Sequence, residues 1–286
     1  MKRVQYLYYV IPALVLVSVV LFYPLGYALY YSLFSYTLGA VPEFVGLRNY
    51  LRVLLDPGFR HSLLLSLYFT IGVVSLQFLL GLLLALLLDK IAVGKRFFSV
   101  VLFIPVMITP AATGLIFRWM FVPQWGIINQ VLQGLSIHPP DWFSSPFWAL
   151  VSVMIAEVWQ FTPLVAIVLF AGLQSIPGES LDAAKVDGAS GVQLLWSILL
   201  PLLRPLILFV LVMRTMDAWR LFDRIFVMTA GGPGTATETV TLYNFRTTFQ
   251  LLRVGEGLAV GVWTLISLLG VMVIYLRLMF RDTTAS

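Results

Sequence analysis

Residues 62–88 read SLLLSLYFTIGVVSLQFLLGLLLALLL, an uncharged apolar run that stops only at Asp89-Lys90. Crossing a bilayer takes about 20 consecutive apolar residues, so this stretch is long enough to span one. Working outward, the same character dominates the chain of 286 residues: 60% are hydrophobic, 11% are charged and the mean hydropathy is +0.96. Soluble domains carry roughly a quarter of their residues as charges. Lipid is therefore the solvent for most of this protein.

The net charge of +5 is scattered over segment ends and forms no stripe, which excludes nucleic acid as a partner and fits cytoplasmic Lys and Arg flanking membrane spans. Cysteine is absent, so disulfides, thiolate metal sites and a thiol nucleophile are excluded. His61 and His138 stand apart without ligand spacing, and no metal site is expected. Met1-Lys2-Arg3 followed by an apolar run imitates a secretory signal. The run continues to about Tyr31 with no convincing cleavage site, and it reads as a retained first span.

Six spans are expected, at about Tyr8–Ser32, Ser62–Leu88, Phe97–Phe121, Phe147–Leu173, Pro201–Leu221 and Gly257–Phe280. The fold class is all-α: a polytopic membrane bundle of six transmembrane helices with a cytoplasmic helix-turn-helix loop. An even number of crossings puts both termini on one side. Lys2, Arg3, Lys90, Lys95, Arg96, Lys185, Arg277 and Arg281 mark that side as cytoplasmic, although Arg48, Arg52 and Arg60 fall in the first outer loop. Pro12, Pro24, Pro105, Pro110 and Pro163 punctuate the spans and shape the bundle. Gly257 and Gly261 have the spacing that lets two helices approach closely, a weak dimer signal because Gly is frequent in spans. No internal repeat is evident.

The inner segment from Gln174 to Leu200 interrupts the apolar pattern with "LDAAKVDGAS" at 181–190. Pro177 suits a first helical turn, and Glu179 and Asp182 place negative charge near the helix's positive end. Gly188 supplies a left-handed closing residue, after which the chain restarts through Val192, Leu195 and Leu199. Pro201 then opens the fifth span. The small side chains of Ala183, Ala184 and Ala189 leave either a thin helix that can fit a groove on another protein or an ordinary inner loop with a good cap.

The run "SIPGESLDAAKVDGASGVQLLWSILLPLLRP" resembles the cytoplasmic signature of membrane subunits of binding-protein-dependent ABC importers: Glu-Ala-Ala, three residues, Gly, and a later Leu-Pro. Ala183, Ala184, Asp187, Gly188, Ala189, Ile198 and Pro201 are in register, while Asp182 replaces the usual Glu and Leu195 a common aromatic. "FVGLRNYLRVLLDP", "IAEVWQFTP" and "RTMDAWRLFDRIFVMTAGGPGTATET" are similar to the sugar-transport branch, of the smaller maltose, trehalose or glycerol-phosphate type. The resemblance implies one transmembrane domain over 1–286, with a coupling loop at about 174–200 held by a cytoplasmic ATPase. Its coupling residues would be Glu179, Asp182, Ala183, Ala184, Asp187, Gly188 and Ala189. It also implies a second permease subunit as heterodimer partner, two ATPase subunits, an extracytoplasmic sugar-binding protein, and a place in the cytoplasmic (inner) membrane of a bacterium or archaeon. ATP and Mg belong to the partner ATPase, and no cofactor is expected on this chain. Its only Gly-Lys pair, Gly94-Lys95, is followed by Arg96 and lacks the preceding P-loop glycine, so it is not an ATPase.

Ionisable residues inside spans are functional candidates by default. Arg214, Asp217, Arg220 and Asp223 alternate in sign every three residues, a spacing for a self-paired ladder with a structural or gating role. Trp119, Glu157, Trp159, Gln160, Trp219, Tyr243 and Asn244 offer the aromatic and planar polar groups that hold sugars, and are the substrate-path candidates. Three other functions compete. An ion-coupled carrier would show paired repeats and broken helices, and an intramembrane enzyme would show a catalytic constellation. A glycerol-phosphate importer would need arginines such as Arg118 or Arg214 converging on the path.

Overall fold

The computed structural model describes residues 2–178, 181 and 188–280, with side chains from 10 to 277 within that set. Glu179, Asp182, Ala183, Ala184 and Asp187 of the expected coupling loop lie outside the described residues. Helices make up nearly all the regular structure, and a two-stranded hairpin, β1 (Phe34–Ser35) with β2 (Glu43–Phe44), is the exception. Five helices are long and apolar enough to cross a membrane, and a bent pair counted as one span makes the sixth.

The chain forms two compact units, Met1–Leu63 with Val240–Ser267 and Leu64–Thr239 with Leu268–Ser286. In the first, α1 (Lys2–Tyr31) leads into the hairpin and α2 (Arg48–Leu55), and α3 (Pro57–Lys90) begins. α10 (Val240–Phe245), a wide turn at Arg246–Gln250 and the start of α11 (Val254–Phe280) complete it. Its core is Val53, Phe59, Val240, Ala259 and Val260. The paired glycines of α11 serve contacts within this chain. A Cβ at Gly257 would meet Thr248 Cβ at 2.9 Å, and one at Gly261 would lie 3.6 Å from Asn244 Nδ2.

The second unit holds the rest of α3, α4 (Lys95–Phe103), α5 (Pro110–Met120), α6 (Ile127–Gly134), α7 (Pro146–Gln174), α8 (Gly191–Trp219) and α9 (Asp223–Met228). Its core packs Ala85, Val165, Leu169, Leu173, Leu199, Leu203 and Val210. α3 and α7 touch through glycine: a Cβ on Gly81 would lie 2.6 Å from Val165 Cγ1 and 3.2 Å from the Ala166 nitrogen. Overpacking of this kind costs about 1–3 kcal/mol. Gly81→Leu is expected to lower the melting temperature of the detergent-solubilised protein by several degrees, and an unchanged melting curve would show that the two helices part freely.

The third span, expected at about 97–121 and punctuated by Pro105 and Pro110, is the bent pair: 95–107 and α5 meet at 91°. Pro105 removes a helical donor, and Pro110 pushes the residue before it out of the helical region. Thr109 is accordingly extended, with ψ 145, and its hydroxyl accepts from the Ala112 nitrogen to cap α5. One expectation is corrected: Pro201 does not open the fifth span. α8 starts ten residues earlier at Gly191, where Ser190 and Gln193 form a reciprocal capping box, and it runs through Pro201. A π turn at Leu195–Leu199 widens the helix just ahead of the proline, where its ring would otherwise press on the preceding turn.

Candidate functional site

Within the second unit, α3, α7, α8 and α9 bring ionisable and amide groups together in an otherwise apolar interior. Glu157 and Gln160 lie one turn apart on the buried face of α7. The side chains of Arg214 on α8 and Arg224 on α9 are 0% exposed. Arg214 Nη2 donates to Glu157 Oε1 at 2.6 Å, its Nε donates to Gln77 Oε1 at 3.0 Å, and its Nη1 donates to Asp217 Oδ2 at 3.1 Å. Arg224 pairs with the other carboxylate oxygen of Glu157 and donates to Gln160 Oε1. One buried carboxylate thus bridges two buried guanidiniums.

The amides orient this group. Gln77 Nε2 donates to the Glu157 backbone oxygen at 3.0 Å, which frees its Oε1 to face Arg214. Gln160 Nε2 donates to the oxygen of Ile108, a carbonyl at the break between the two halves of the bent span. Phe161 covers the cluster, its ring centroid 3.9 Å from the Arg214 guanidinium carbon, a cation–π contact in a desolvated setting. α5 presses on α9 through Gly114, where a Cβ would lie 3.3 Å from the Arg224 Cα.

Beside the cluster opens a cleft of about 400 Å³, lined by Glu157, Phe161, Asp217, Arg220, Phe222 and Asp223 among others. The sign ladder runs for three rungs only. Asp217 sits between Arg214 and Arg220, with Arg220 Nη2 at 3.5 Å. α8 then ends at Trp219, and Asp223 opens α9, so Asp223 forms no ion pair among the described residues. Arg214, moreover, is tied across helices as well as along its own.

Glu157 and Gln160 are the only substrate-path candidates drawn into this cluster. Trp119 is exposed and packs on Trp125 at 4.7 Å between centroids, and Trp159 meets Phe117 edge-on at 5.3 Å. Trp219 is buried and borders a separate, mostly apolar cavity of about 480 Å³ together with Thr70, Thr215 and Tyr275. Tyr243 and Asn244 belong to the first unit. Burial, and then the charge of Asp56, push the Tyr243 phenol up to about 12. Asn244 accepts a hydrogen bond from Thr248 at 3.0 Å. Sequence reasoning missed Gln77, Arg224 and Phe161. Gln77 is the sole amide in the uncharged run 62–88, and a lone amide facing lipid is costly enough to have marked it.

At the inner segment, Gly188 has φ +79 and Ser190 caps α8, with the Gln193 nitrogen donating to its hydroxyl at 3.3 Å. Leu181 packs against the second unit's core. At the other end of the segment, Gln174 Nε2 donates to Asp89 Oδ1, and Lys95 Nζ lies 3.8 Å from the same oxygen. Among the described residues no group of three or more His, Cys, Asp or Glu side chains is placed to hold a metal ion.

Comparison with known proteins places this geometry. Residues 77–281 match the family model of the binding-protein-dependent transport system inner membrane component. The chain is 38% identical over 239 residues to the trehalose/maltose transport system permease protein MalF of Thermococcus litoralis, covering 83% of this chain and 81% of that protein. It is 35% identical to the sulfoquinovosyl glycerol transport system permease SmoG of Agrobacterium fabrum, covering 93% and 87%. It is 33% identical to the sn-glycerol-3-phosphate transport system permease UgpA of the same organism, covering 88% and 87%. Its fold is shared with a chain of a bacterial alginate ABC transporter solved in complex with alginate pentasaccharide-bound periplasmic protein, at a TM-score of 0.84 and 19% identity over 99% of this chain and 96% of that one. The chain belongs to the family of inner membrane components of binding-protein-dependent transport systems.

Proposed function

We infer that the chain translocates a neutral sugar, of the trehalose or maltose kind, as one permease subunit of an ATP-driven importer. The observation that carries this reading is the likeness over most of the chain to permeases named for those sugars. The cleft adds a chemical argument. Its cations are already engaged: Glu157 bridges Arg214 and Arg224 behind the cleft, and Asp217 lies between Arg214 and Arg220. Phe161 and Phe222 supply ring faces for an apolar sugar surface, beside carboxylates that can accept from its hydroxyls. Arg118, the other cation considered for a phosphate, donates to the Val227 oxygen at 2.7 Å.

In this reading an external binding protein delivers the sugar, a second permease completes the path, and two cytoplasmic ATPase subunits hold ATP and Mg. Residues 174–200 form the coupling loop, with both termini on the cytoplasmic side as the lysine distribution suggests. Leu181, packed against the apolar core, and Gln174 on Asp89 tie the start of that loop to the helices of the second unit, so a push on it reaches α7 and α8.

The test is uptake by the whole importer in vesicles, with its binding protein outside and ATP within. Labelled trehalose or maltose is expected to accumulate, and glycerol 3-phosphate is not. Accumulation of glycerol 3-phosphate alone, or ion-driven uptake by this chain without partners, would overturn the reading.

A further inference from the structure

The first unit carries a second built pocket, of about 350 Å³, lined almost wholly by polar side chains, among them Thr37, Asn49, Arg52, Arg253 and Glu256. Its walls come from segments far apart in sequence and are locked together. Asn49, buried, donates through Nδ2 to the oxygens of Ser32 and Phe34, both at 2.8 Å. The Gly255 nitrogen donates to the Tyr36 oxygen at 2.9 Å, and the Leu38 nitrogen to the Leu252 oxygen at 3.0 Å. A Cβ at position 255 would run into the Phe34 oxygen, so this junction closes only with glycine.

The charges inside do not balance. Glu256 takes Arg52 Nη1 on one carboxylate oxygen at 2.5 Å and has Arg253 Nη1 at 3.6 Å from the other. Two guanidiniums thus share one carboxylate. Both side chains are 56% exposed, and their remaining N–H groups have no partner among the described residues. The pocket is accessible, rigid at its base, and one positive charge in excess. A second carboxylate entering between the arginines would meet planar donors suited to it.

A free small anion would not be retained there, because exposed ion pairs are weak and salt screens them. A carboxylate carried on a docking protein is different: the remaining contacts hold it at a high effective concentration, so a weak pairing still sets orientation and encounter rate. We propose that this pocket receives an Asp or Glu side chain of the external binding protein, seated between Arg52 and Arg253. The proposal rests on the importer reading, with the pocket on the outer side.

The assay is ATP hydrolysis by the reconstituted importer as a function of binding-protein concentration. Arg52→Gln with Arg253→Gln is expected to raise the half-saturating concentration about tenfold, leave the maximal rate unchanged and flatten its dependence on NaCl. Glu256→Gln, which adds to the positive excess, is expected to lower the half-saturating concentration. A misfolded pocket would weaken both variants, so the opposite signs separate recognition from damage. Unchanged half-saturation in both variants would overturn the proposal while leaving the importer reading intact. If no concentration of binding protein stimulates the unaltered complex, the importer reading falls and the proposal with it. Sodium glucuronate at a few millimolar is expected to compete no better than NaCl of equal ionic strength. Stronger competition that disappears in the arginine double variant would mark a site for free anions and overturn the proposal.

Discussion

Glu157→Ala is expected to stop the protein accumulating in the membrane. Both guanidiniums it serves are fully buried, and removing one partner of a buried ion group leaves uncompensated charge at a cost of about 3–5 kcal/mol. The two arginines are not equally exposed to the loss. Arg214 keeps Gln77 and Asp217, but Arg224 keeps, among the described residues, one hydrogen bond to the Gln160 amide and the Phe161 ring 5.9 Å away. Arg224→Met in the Glu157→Ala background is therefore expected to recover part of the loss, whereas Arg220→Met, which removes an exposed charge, recovers none. Membrane levels and thermal unfolding in detergent read this directly. A melting temperature for Glu157→Ala equal to that of the unaltered protein would mean that the cluster is hydrated.

Gly188→Val is expected to leave insertion intact and to reduce transport more than tenfold. The residue sits at φ +79, where an L side chain costs roughly 1–2 kcal/mol and a β-branched one more. A Cβ there would meet nothing within 4 Å among the described residues, so the penalty is conformational rather than a clash with them. This makes a graded series informative. Asn, which tolerates the left-handed region, is expected to stay near the unaltered activity, Ala to fall between, and Val to be worst. Uptake and binding-protein-stimulated ATP hydrolysis in vesicles are the readouts. A Val variant as active as glycine would sink the idea, and an Asn variant as poor as Val would place the cause in a contact with a partner instead of the turn.

The apolar runs were legible because a span needs only length and composition, and Gly188 because a helix closing beside polar residues leaves few alternatives. What composition hides is how a proline is accommodated. Pro105 and Pro110 break their span by 91°, whereas Pro163 and Pro205 lie inside continuous helices and Pro201 follows a π turn. Whether freed carbonyls find donors decides between these outcomes, and Gln160 serving Ile108 is a tertiary fact. The site divides the same way. Spacing on one helix placed Asp217 beside Arg214 and Arg220. It could not place Gln77 or Arg224 against Glu157, 80 and 67 positions away, since those meetings depend on how α3 and α9 pack on α7. The aromatic candidates scattered because a ring suits a bilayer interface, a core or a ligand equally well.

The order in which the cluster's members appear along the chain bears on how the protein is made. Glu157 leaves the ribosome before Arg214, which follows 57 residues later, and before Arg224 on α9. At about 5–20 residues per second the carboxylate waits roughly 3–11 s for its first cation. Until then α7 carries a polar group that lipid does not solvate, so the helix has reason to linger at the insertion machinery rather than partition alone. Arrival of α8 and α9 relieves it. A polypeptide truncated before Arg214 is accordingly expected to leave Glu157 without either of its guanidiniums.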